Sequence, residues 1–163
     1  MQKFDQINAI IINWTHTDSP PEFLKTNYNI YIRRYMRYYR LSLLDKQTSN
    51  YESAFHNILY FYRIISMQSF FNLDEKSWDL LLDLAIDIQQ QIITDKPNLF
   101  DSISFSQRNM STLLIICIRS KSQNPIYYQK LESVIKKNVN IKHYLKAWMV
   151  FYFLSRIYFL ICV

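Results

Sequence analysis

Four arginines, Arg33, Arg34, Arg37 and Arg40, recur at the three- and four-residue spacing that makes neighbours on a helix surface. A guanidinium is a planar fork that grips phosphate oxygens in pairs, and an aromatic ring such as Tyr38 beside it can stack on a base. These five residues are the candidate RNA contacts. Between Glu22 and Leu44 the only lysine is Lys25, so the basic character there is arginine in type. Two other readings compete: a solvated face that keeps a tyrosine-rich protein in solution, and internal pairing with an acidic stripe. That stripe is Glu75, Asp79, Asp83 and Asp87, one carboxylate every four residues. Such a row can hold a divalent cation, but no histidine or second acidic helix joins it by spacing. We therefore expect the wet side of a helix, or a dock for arginines, and no metal site.

Nucleophilic chemistry finds no comparable footing. His16, His56 and His143 share no spacing with a serine, cysteine or carboxylate partner. Cys117 and Cys162 both sit in apolar runs and read as buried free thiols, with no disulfide framework or metal motif between them. The 163 residues contain no glycine, where average usage of about 7% would supply about eleven. Phosphate loops, dinucleotide fingerprints and nucleophile elbows all need glycine for close backbone approach or positive φ. The expectation is a protein that is not an enzyme and carries no cofactor.

The elements that must position these residues are helical. Apolar residues make up 50% of the chain and aromatics 17%, enough for a real core. Phe4, Ile7, Ile11 and Trp14 predict a short helix over about 5–14. Ser19, two prolines and Glu22 form a start signal for a helix over 20–46. Its buried stripe is Leu24, Tyr28, Tyr31, Ile32, Tyr35, Tyr39 and Leu43, with the arginines almost opposite. Ser49 to Glu52 is a second capping box, opening a helix to about Gln68 that is apolar nearly all round and so central. Further helices are expected from about Asn72 to Ile93, from the capping box Ser104 to Gln107 through Lys121, from Asn124-Pro125 to Lys137, and from Asn140 to the end. No alternating run carries hairpin chemistry. The predicted fold is all-α, one helical domain over 1–163, an irregular bundle or short α-solenoid of about six or seven helices.

Residues 147–163 carry one charge, Arg156, and approach the length of a bilayer span, with Lys142 and Lys146 just before. An arginine in mid-span costs about 2.5–3.5 kcal/mol, so a core or partner-facing helix is the first reading and a membrane anchor the second. Trp148, Phe151, Phe153, Tyr158 and Phe159 are the residues expected to face a partner or membrane. The net charge of +6 favours an anionic partner. The N-terminus shows no signal peptide or Arg-rich presequence.

Asp101 to Cys117, followed by Tyr127 to Ile135, resembles one helix–turn–helix unit of the octotricopeptide and RAP-associated helical repeats. A polar cap leads a leucine-rich first helix, and a second helix ends basic. Residues 51–93 would be a preceding unit, and Asn140 onward the first helix of a third. The resemblance implies stacked helix pairs and a role in organellar RNA binding or mitochondrial ribosome structure. The lean to Ile, Asn, Lys, Tyr and Phe fits an AT-rich genome, such as an organelle, virus, protist or AT-rich bacterium. The expected function is thus a structural or RNA-contacting subunit of a larger assembly, with mitochondrial localisation favoured. The alternatives are an accessory subunit of a membrane complex held by 147–163, and a small effector that binds a host protein.

Overall fold

The computed structural model describes residues 9, 13–14, 21–44, 51–67, 72–122 and 124–162, without the side chains of 23–25, 41–44, 51–54 and 155–162. The fold is all-α, as expected. The described elements are α1 (Glu22–Leu44), α2 (Tyr51–Met67), α3 (Glu75–Asp95), a 3-10 helix (Pro97–Asp101), α4 (Ile103–Ser120), α5 (Pro125–Lys137) and α6 (Lys142–Cys162). The helix expected over 5–14 lies mostly outside the described residues, although Ala9, Asn13 and Trp14 are helical. The capping signals at Ser19 and at Ser49-Asn50 lie outside them too. Contacts group the chain into two compact units, Met1–Leu81 and Leu82–Val163, and the division falls inside α3.

In the first unit, α1 buries Ile32, Met36 and Tyr39, positions i, i+4 and i+7 of one stripe. Tyr39 meets Phe61 of α2 with ring centroids 5.1 Å apart. Tyr28, Tyr31 and Tyr35, expected in the same stripe, are half-buried at its flank. Asn27 interrupts α1 with non-helical angles (φ −130°, ψ 22°), and its amide donates to Thr26 Oγ1. Asparagine side chains offer the backbone such local alternatives to the helical ladder. In α2, Phe55, Ile58, Leu59, Phe61, Tyr62, Ile64 and Ile65 are all buried. Tyr60, which makes the helix read as apolar nearly all round, is 45% exposed, so α2 is buried on most of its surface but keeps one open side.

The second unit is organised around Phe100, wholly buried on the 3-10 helix. Phe105 and Tyr144 meet it edge-on, with centroids 5.1 and 5.2 Å away. Gln89 of α3 donates its amide to the Tyr144 hydroxyl at 2.9 Å, which seats a buried polar group among aromatics. Ser102, not Ser104, caps α4: its hydroxyl accepts from Phe105 N–H. The 3-10 helix delivers Ser102 in an extended conformation suited to capping, and this displaces the cap two residues back from the expected start. Asn124 caps α5 ahead of Pro125, as read from sequence. The cost of a glycine-free chain shows at Lys121. It ends α4 in the left-handed region (φ 50°, ψ 22°), a place usually given to glycine.

Candidate functional site: the arginine helix and an open apolar groove

Arginines on α1 do not act as one surface. Arg33 is half-buried, and its Nη1 donates to both carboxylate oxygens of Asp74 and to Ser77 Oγ, each at 2.8 Å. Asp74 in turn accepts from Ser77 N–H and so closes the first turn of α3. Asn29 accepts from Asp74 N–H at 3.1 Å, and the Tyr28 hydroxyl donates to Asn72 C=O. Tyr28, Asn29 and Arg33 therefore latch one side of α1 onto the 72–77 segment. Burial alone would raise the Asp74 carboxyl. Its hydrogen bonds from Ser77 and Arg33, with the Arg33 charge, outweigh this and hold it below the ordinary aspartate value. Arg34, Arg37 and Arg40 are exposed, and exposed Tyr38 lies beside buried Tyr39 with ring centroids 6.3 Å apart. Of the five expected contact residues, the structure commits Arg33 to the fold and leaves the others at the surface.

The acidic row of α3 is also partly spoken for. Lys130 of α5 reaches Asp83 Oδ1 at 2.7 Å and Asp87 Oδ1 at 2.5 Å. Burial opposes the Lys130 charge, but the two carboxylates prevail and raise its pKa. Burial, then the neighbouring Glu75, pushes the Asp79 carboxyl up. Among the described residues no group of His, Cys, Asp and Glu is placed to hold a metal ion. The stripe and its role as a dock are readable in the sequence, but the docked cation is Lys130 where an arginine was expected.

The C-terminal helix is the part left open. In α6, Tyr144, Ala147 and Phe151 form the buried seam. Met149, Val150, Tyr152, Phe153 and Leu154 are exposed, Val150 by 59% and Phe153 by 60%. Of the residues expected to face a partner, Phe153 is open, Trp148 is half-buried and stacked on Tyr152 at 5.3 Å, and Phe151 is buried. Tyr158 and Phe159 lie outside the described side chains. Among the described residues no helix is long and apolar enough to cross a membrane.

Two apolar grooves flank the contact of α4 with α6. The first, about 480 Å³, is lined by Ile103, Met110 and Leu114 of α4 and by Ala147, Val150 and Leu154 of α6, with His143 and Lys146 at its edge. The second, about 570 Å³, runs beside α5 and shares Leu114 and Phe151 with the first. Cys117 lines it, and burial pushes its thiol up to about 12, so the thiolate needed for reactivity is scarce at neutral pH. Sequence reasoning missed the first groove, although its signal was there. Ile103, Met110 and Leu114 keep helical spacing, but spacing cannot tell a filled stripe from an open one.

Residues 47–157, or 111 of the 163, match the model of the RALGAPB N-terminal domain family. No curated protein and no solved structure matches the chain. The family match overturns the resemblance to octotricopeptide and RAP-associated repeats, and with it the expected ribosomal or ribonucleoprotein subunit and its alternatives. The reason is physical: a polar cap, a leucine-rich helix and a basic second helix describe any pair of capped amphipathic helices.

Proposed function

The chain belongs to the RALGAPB N-terminal domain family, and we propose that it is a non-catalytic helical docking module of a GTPase-activating-protein-related architecture. In this reading it binds a protein partner and contributes no reacting group. The observation that carries it is the exposed apolar surface of α6 from Met149 to Leu154. Contiguous apolar surface of this kind is costly to leave in water and characteristically marks an interface. Lys142 and Lys146 at the start of the same helix supply a polar border for such an interface.

The test places a photocrosslinking residue at Val150 or Phe153 in the full chain, expressed in its own cells, and at Arg37 for comparison. Discrete protein adducts from the α6 positions are the expected result; adducts absent from both would end the docking reading. Single-turnover GTP hydrolysis by a small GTPase should be unchanged when the purified chain is added. An acceleration that depends on one side chain would instead make it an enzyme.

A further inference from the structure

Resting on that docking reading, we infer that the groove between α4 and α6 receives an amphipathic helix of about three turns with an acidic border, supplied by a protein partner. Length comes from the lining. Ile103 and Leu114 are separated by eleven helical rises, or about 16 Å at 1.5 Å per residue, and Val150 and Leu154 form the facing wall. An incoming helix with apolar side chains at i, i+3 or i+4, and i+7 meets such a trough along its whole length.

Charge selects the partner's border. From Ile103 to Leu154 there are eight Lys and Arg but a single acid, Glu132. Glu132 is taken by Lys136 at 2.8 Å, and Lys130 is taken by Asp83 and Asp87. Lys146 lines the groove, and Lys142 stands one turn before it on α6. Among the described residues no carboxylate pairs with Lys142 or Lys146. A second copy of this chain would bring the same cations against them, so like charges oppose self-association there. The second groove carries no comparable demand, because the charged residues lining it, Glu132 and Lys136, satisfy each other.

The decisive measurement is fluorescence anisotropy of two synthetic helical 14-residue peptides with identical leucine positions, one bordered by glutamates and one by lysines, titrated with the full chain. The glutamate peptide should bind about tenfold more tightly at low salt, with the gap closing as salt rises. Val150→Asp should abolish binding, and Lys146→Glu should shrink or reverse the preference. Both variants are checked by thermal unfolding, and Gln107→Lys, a polar exchange in the groove wall, serves as a second probe if either fails to fold; it should strengthen the glutamate preference. Equal binding of the two peptides, no binding of either, or binding indifferent to Val150→Asp would overturn the proposal. If crosslinking at Val150 or Phe153 still yields adducts in those cases, only the acidic helix is wrong and the docking reading stands.

Discussion

Arg33 and Val150 are both suited to surface chemistry by type or setting, and the fold treats them in opposite ways. In the first unit a cation is drawn inward: among the described residues Asp74 and Ser77 accept the side-chain hydrogen bonds that Arg33 donates, and a functional-looking arginine becomes part of a latch. In the second unit an apolar helix is only half used. Tyr144, Ala147 and Phe151 fill the seam, while Val150, Phe153 and Leu154 face outward. The lesson concerns where satisfaction is incomplete. Water solvates an exposed arginine at little cost, so its presence says little about function. Exposed Phe and Val have no such outlet, and the docking proposal rests on the patch they form.

The sharpest way to break this contrast is to damage the seam and leave the open face alone. Phe100→Ala removes the ring that Phe105 and Tyr144 both abut and should cost about 3–5 kcal/mol in urea unfolding. A loss below about 1 kcal/mol would mean the aromatic cluster is not what organises the second unit. The latch should matter less. Asp74→Ala removes a cap and the partner of Arg33 together, for a loss of about 1–2 kcal/mol. Because the Asp74 carboxyl is held below its ordinary value, its contribution is present above the usual aspartate range and fades as pH falls through the lowered one. Asp74→Asn should therefore resemble the unaltered chain more closely in acid than at pH 7.

Much of the helical framework is legible in the residues themselves. The helices from α1 to α6 follow from their apolar period, and Asn124-Pro125 starts α5 as its residues say. The start of α4 departs from its capping motif because a 3-10 turn at Pro97 presents Ser102 first, a tertiary circumstance invisible to a four-residue pattern. Arg33 misleads for a similar reason: its partner lies 41 residues away, and amphipathic spacing carries no record of distant pairing. The apolar character of 147–154 is plain in sequence. Which of its faces stays open is not, since that depends on how much of α6 the α4 wall can cover.

Lys130 tests whether long-range ion pairing supports the second unit as the latch supports the first. It is about one-third exposed, so screening leaves each of its pairs worth well under 1 kcal/mol, and Lys130→Met should cost about 0.5–1 kcal/mol in all. The sign with pH is opposite to that of Asp74. A raised lysine value means its support is full below the ordinary lysine range and is lost only as pH climbs through the higher folded value. The difference between Lys130→Met and the unaltered chain should thus close in strong alkali, as the ammonium is lost.

The smallest expected change is the most informative one. Val150→Ser with Phe153→Ser takes two large apolar side chains out of α6, a change that in a core would unfold a domain of this size. Here both are more than half exposed, so little buried area is lost and unfolding free energy should move by no more than about 0.5 kcal/mol. Binding of an apolar-surface dye should fall, because the double change removes the patch and leaves the seam of Tyr144, Ala147 and Phe151 in place. A loss of several kcal/mol would show that these side chains are buried in the folded molecule. The open face would then be as internally satisfied as Arg33, and the contrast between the two regions would disappear.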